Sequence, residues 1–149
     1  MRFIFGVFPL LAIPVIIYNL MGFAFGGGAD GTMTMTENMA RAMWQIPMVS
    51  PGTTWSISAG DLLIMFSMVF FFVEILKSTS TGAATIANHA VSMIVFIVCL
   101  IEFLLLRNFS TSVFFILTMM CLLDVLAGVV VTIISARRDF TVGEGLNTH

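Results

Sequence analysis

Four long stretches almost free of charge dominate this chain: Phe3 to Phe25, Ile57 to Leu76, Ala83 to Leu106 and Ser112 to Ala136. A helix that crosses hydrocarbon needs about 20 predominantly apolar residues, and each stretch supplies them. The remaining residues do not redress the balance. Only 9% of the 149 residues are charged, against about 25% in a soluble domain. So little polar surface cannot cover a water-facing fold, which makes lipid the expected solvent. The expected fold is an all-α four-transmembrane-helix bundle, a single domain over residues 1–138 followed by a short cytoplasmic tail, 139–149. The length suits one small bundle. With a net charge of −2 and no basic stripe, nucleic acid is not an expected partner. The bilayer is, together with copies of the chain or a larger membrane complex.

The first stretch has features of a signal peptide, with Arg2 ahead of it and Ala24-Phe25-Gly26 resembling a cleavage site. Its apolar run exceeds the usual 7–15 residues of such a segment, so an uncleaved span is expected. Pro9 and Pro14 lie inside it. Each removes a backbone donor and crowds the carbonyl four residues back, so the helix should be kinked or locally unwound there.

The longest connection runs from Gly26 to Ser56. Thr34-Met35-Thr36-Glu37 reads as a capping box. Met35, Met39, Ala42, Met43 and Ile46 then fall on one helical face before Pro47. With Trp44 and Trp55 suited to the headgroup level, an amphipathic interfacial helix over residues 35–46 is expected. Ser58 with Asp61 should cap the second span, and Ser110 the fourth. Basic residues set the orientation. Arg2, Lys77, Arg137 and Arg138 mark one side and Arg41 and Arg107 the other, which favours both termini on the cytoplasmic side.

Ionisable residues inside spans are costly and usually face the bundle interior or water. A rise of ~1.5 Å per residue places Glu74 and Asp124 each ~20 Å below the outer ends of their spans, and His89 near the same level. Asn88 adjoins them. Stripes of small and polar residues suggest which faces meet: Gly60, Ser67 and Glu74; Asn88, Ser92, Cys99 and Glu102; Cys121, Asp124, Gly128, Thr132 and Ser135; and Ala12, Asn19 and Gly22. Such residues permit close helix approach and interhelical hydrogen bonds. An outer polar layer holds Asp61, Glu102, Asn19 and Tyr18, with Arg107 at the rim and within reach of Glu102.

The inner set allows two readings. Glu74 lies three residues before Lys77, so an ordinary ion pair accounts for it, and His89 could simply donate to Asp124. Alternatively, carboxylate, imidazole and carboxylate at one depth form a proton relay, since the unperturbed imidazole titrates near neutrality. Five methionines in the outer connection, Met33, Met35, Met39, Met43 and Met48, invite a third reading, because thioethers bind Cu(I). Their ordinary role is to fill adaptable apolar surface. Cys99 and Cys121 lie in apolar runs outside any C-x-x-C motif and read as buried fillers. They could be bridged only if their spans pack side by side. No nucleophile elbow, zinc helix or phosphate loop occurs, so neither an enzyme nor a cofactor is expected.

The words Glu102-Phe103-Leu104-Leu105, Phe114-Phe115 and Asp124-Val125-Leu126-Ala127-Gly128, continuing to Ala136-Arg137-Arg138-Asp139, resemble the C-terminal half of small uncharacterised bacterial four-span proteins. That resemblance implies a bacterial inner membrane and a similar topology, and brings no activity with it. The expected function is a small structural or accessory subunit of a membrane complex. The alternatives are a proton-linked transporter or channel subunit and a Cu(I)-handling protein.

Overall fold

The computed structural model describes residues 6–25, 33–78 and 83–145, and it is predominantly helical. Helix α1 spans Ala12–Phe25, α2 Met35–Ala40, α3 Ala59–Ser78, α4 Ala83–Leu105 and α5 Ser112–Gly145. Strands β1, Ala42–Pro47, and β2, Thr54–Ser58, form an antiparallel hairpin between α2 and α3. Three helical segments, 59–78, 86–105 and 112–134, are long and apolar enough to cross a membrane. Their outward side chains, among them Phe66, Phe72, Ile94, Leu104 and Ile133, are large, apolar and exposed, as hydrocarbon permits and water does not.

The first apolar stretch departs from a continuous span. Gly6 and Val7 are helical, the chain bends through 8–11, and α1 begins only at Ala12, giving 14 residues. Pro9 and Pro14, both buried, account for the break, since neither can donate to the helical ladder. The residues before Gly6, the glycines at 26–28, Asp30 and residues 79–82 lie outside the described residues, and so do Arg2 and the Gly26 of the cleavage-like site, whose Ala24 and Phe25 close α1.

The interfacial helix expected over 35–46 is corrected. Its first turn forms with the full capping box, Glu37 N–H donating to Thr34 Oγ1 at 3.3 Å and Thr34 N–H to Glu37 Oε2 at 2.7 Å. The helix stops at Ala40 and the chain extends into β1. Met35 and Met39 plug the core rather than lying on a membrane surface. The hairpin turns at Ser50-Pro51-Gly52-Thr53, where Thr53 N–H donates to the Ser50 carbonyl at 3.2 Å and Gly52 takes φ 76°. Proline followed by left-handed glycine is the signature of a type II turn.

At the start of α3, Ser58 and Asp61 cap reciprocally, as expected, with Asp61 N–H donating to Ser58 Oγ at 3.1 Å and Ser58 N–H to Asp61 Oδ2 at 2.9 Å. The cap of α5 is Thr111 rather than Ser110: Phe114 N–H donates to Thr111 Oγ1 at 3.2 Å. Helix α5 also outruns its expected end at Ala136. It continues to Gly145, so most of the expected tail extends the helix.

Helix α5 packs most extensively, against α4 and α3. The core gathers Leu11, Val15, Tyr18, Met35, Met39, Leu63, Cys99, Phe109, Phe114, Leu117 and Cys121. At one end, a 3-10 turn over Arg107–Phe109 drives Phe109 inward against Tyr18, Phe23 and Phe114. Gly22 makes room for this ring, since a β-carbon there would stand 3.1 Å from Phe109 Cζ. Asn108 Nδ2 donates to the Gly22 carbonyl at 3.1 Å and Tyr18 hydrogen-bonds Thr111, tying α1 to the corner.

Candidate functional site in the apolar bundle

The polar stripes turn inward in large part. Gly60, Ser67 and Glu74 are buried on α3, Asn88, Ser92 and Cys99 on α4, and Cys121, Asp124 and Gly128 on α5, while Thr132 is exposed. On α1, Ala12 and Gly22 are buried.

Glu74 is the centre of a clasp. Its Oε2 accepts from the Leu10 backbone N–H at 2.7 Å, and its Oε1 accepts from Asn88 Nδ2 at 2.6 Å and from Lys77 Nζ at 3.3 Å. Lys77 Nζ also donates to Asn88 Oδ1 at 2.8 Å and to the Phe8 carbonyl at 2.6 Å. The i, i+3 geometry of one helical turn brings Glu74 and Lys77 together, and burial makes their attraction count. The Glu74 side chain is fully enclosed and that of Lys77 is 19% exposed. The clasp therefore satisfies both a donor and an acceptor that the proline break strips from the first segment. Bare backbone groups in hydrocarbon would each cost several kcal/mol, about what one unmade hydrogen bond costs there.

Beside the clasp lies a second group. The His89 ring rests on the backbone of Gly128, where a β-carbon would collide with Nδ1. Asp124, one turn earlier on α5, lies within electrostatic range of His89, Glu74 and Lys77, and Ser92 approaches its carboxylate. Four buried atoms here, His89 Nδ1 and Nε2, Ser92 Oγ and Asp124 Oδ1, complete no hydrogen bond among the described residues. Glu74, Asn88, His89 and Asp124 thus gather in one region, but no continuous chain of hydrogen bonds links them. Glu74 is committed to the clasp, and His89 bonds to neither carboxylate.

The outer layer does not assemble as one group. Asn19 Nδ2 donates to Glu102 Oε2 at 3.1 Å, so Glu102 is engaged by α1 rather than by Arg107, which forms no ion pair among the described residues. Asp61 serves as a cap. The five methionines also divide: Met35 and Met39 are buried, whereas Met33, Met43 and Met48 are exposed on the connection and hairpin. The helical face expected of Met35, Met39 and Met43 is therefore split by the turn from helix to strand. Among the described residues, no group of three or more His, Cys, Asp or Glu side chains is placed to hold a metal.

Sequence reasoning missed the partners that make the clasp. The prolines announced freed backbone groups, but which carboxylate would meet them depends on how α1 sits against α3. It also missed the Tyr18–Asn108–Thr111 corner, whose short polar loop resembles any turn between spans. Comparison with protein families, with curated proteins and with solved structures finds no match, so the reading of this site rests on its own geometry.

Proposed function

We propose that the protein is a small structural or accessory subunit of a membrane assembly, whose inner charges hold a broken span in place. The supporting observation is the complete partnering of Glu74 by Leu10, Asn88 and Lys77. A carboxylate bound on both oxygens is suited to fixing architecture and poorly suited to passing protons. In this reading the first segment, α1 with the clasped stretch before it, completes a fourth crossing, and an even number of crossings puts both termini on one side. The count of basic residues favours the cytoplasmic side, and the resemblance noted above favours a bacterial inner membrane. Purification in mild detergent tests it. Recovery in a defined oligomer or with a partner supports the proposal, and a monomer that passes ions through vesicles refutes it.

A second reading is favoured by the four unpartnered atoms of His89, Ser92 and Asp124. Buried polar atoms without partners call for an explanation, and an acid beside an imidazole suits proton or cation exchange. Reconstituted vesicles would then show pH-dependent flux that Asp124→Asn abolishes and Glu74→Gln, if the variant folds, leaves in part. Absence of flux at every pH with the unaltered chain ends this reading.

A further inference from the structure

The hairpin carries an apolar face that the chain itself leaves largely uncovered. The register pairs Trp44 with Ile57 and Ile46 with Trp55. Directly paired residues share a face, as do residues two apart on one strand, so Trp44, Ile46, Trp55 and Ile57 project together. Gln45, Ser56 and Thr54 occupy the other face. Ile57 is buried at 6% exposure, whereas Trp44 is 63%, Trp55 49% and Ile46 42% exposed. The face thus begins against the bundle at Ile57 and runs outward from it.

We propose that this face seats on the lipid headgroup region of the bilayer, so that the hairpin lies along the membrane surface beside α3. Three observations identify lipid as the occupant. Strand β2 passes at Ser58 directly into α3, a membrane-crossing candidate, and Ala59 N–H donates to the Arg41 carbonyl at 3.0 Å, binding the base of the hairpin to that helix start. The apolar face is thereby continuous with a lipid-facing helix. No ionisable side chain occurs from Ala42 to Gly60, although a free edge in water is ordinarily guarded by charge. Finally, a two-stranded hairpin is at best marginally stable alone in water, whereas indoles favour the interface, where an apolar ring and a polar N–H are both accommodated.

Trp44 and Trp55 are the chain's two tryptophans, so intrinsic fluorescence reports this hairpin without labels. The full chain is reconstituted in phosphatidylcholine vesicles whose lipids are brominated near the carbonyl end or near the methyl end of the acyl chain. Shallow bromines should quench the emission at least roughly twofold more than deep ones, in keeping with residence at the interface, and aqueous iodide should quench it little. Trp44→Phe and Trp55→Phe, made singly, should each retain this pattern. Strong iodide quenching without bromine quenching would place the face in water and overturn the proposal. Protection from both quenchers would also overturn it, by showing a protein cover. Chemical cross-linking would then tell a second copy from another chain.

Discussion

Glu74 shows what one buried side chain does when it answers a break in another segment. Substitution by Gln keeps the shape and removes the charge that Lys77 and the Leu10 N–H face, which should destabilise the protein by about 1.5–3 kcal/mol, the worth of hydrogen bonds to a charged group. Glu74→Leu should cost about 3–5 kcal/mol, because it removes one partner of a buried ion pair and strips the acceptor from the Leu10 N–H and Asn88 Nδ2. Thermal unfolding in detergent measures both, and Lys77→Met added to Glu74→Leu should recover part of the loss. Gly128 poses a different test. A β-carbon there strikes the His89 ring, so Gly128→Ala should lower stability by about 1–3 kcal/mol through overpacking, with relief when His89→Ala is added. At this scale the sequence was informative about kinds of residue. Glu74, Asn88, His89 and Asp124 stand out because such groups are costly in an apolar run. The hydrogen bonds they make depend on helix rotation and on a proline-broken backbone that no residue spacing specifies.

Among the elements, the three long helices were legible because a run of some 20 apolar residues has few alternatives, and their ends followed caps such as Ser58 with Asp61. The connection before α3 was misread. Methionines at helical spacing suggested that the helix at Met35 would continue, yet Thr54-Trp55-Ser56-Ile57-Ser58 alternates strictly and Pro51-Gly52 marks a turn. A strand of period 2 and a β-turn were written there, and pairing across the hairpin prevails over the weak helical preference of Trp44 and Ile46. The capping box of α2 yields a pH prediction. The backbone N–H and hydroxyl of Thr34 hold the Glu37 carboxyl below its ordinary value. The folded form thus binds its proton less readily than the unfolded chain, so the stabilisation is present above the ordinary Glu range and is lost as pH falls through the depressed value. Protection of the first amides of α2, taken as the intrinsic exchange rate at each pH divided by the observed rate, should fall with acidification, and Glu37→Gln should remove that dependence.

For the whole molecule, the packing of α4 on α5 brings Cys99 and Cys121, both free, into contact in the core, the side-by-side arrangement that a bridge requires. Treatment with iodine, which accepts two electrons and releases two protons from the thiols as iodide forms, should join them within one chain. Mass spectrometry should find the linked peptides without covalent dimers, and exclusive intermolecular linkage would contradict this packing. The short first helix bears on where such a protein can reside. At ~1.5 Å per residue, the 14 residues of α1 reach ~21 Å, well short of a hydrocarbon layer ~30 Å thick. In the fourth crossing proposed above, the remaining depth falls to a bent, non-helical stretch whose polar backbone is engaged by Glu74 and Lys77. Hydrophobic mismatch should therefore draw the nearby leaflet inward, so that the chain tolerates thin bilayers better than thick ones and its abundance varies among membranes according to their depth.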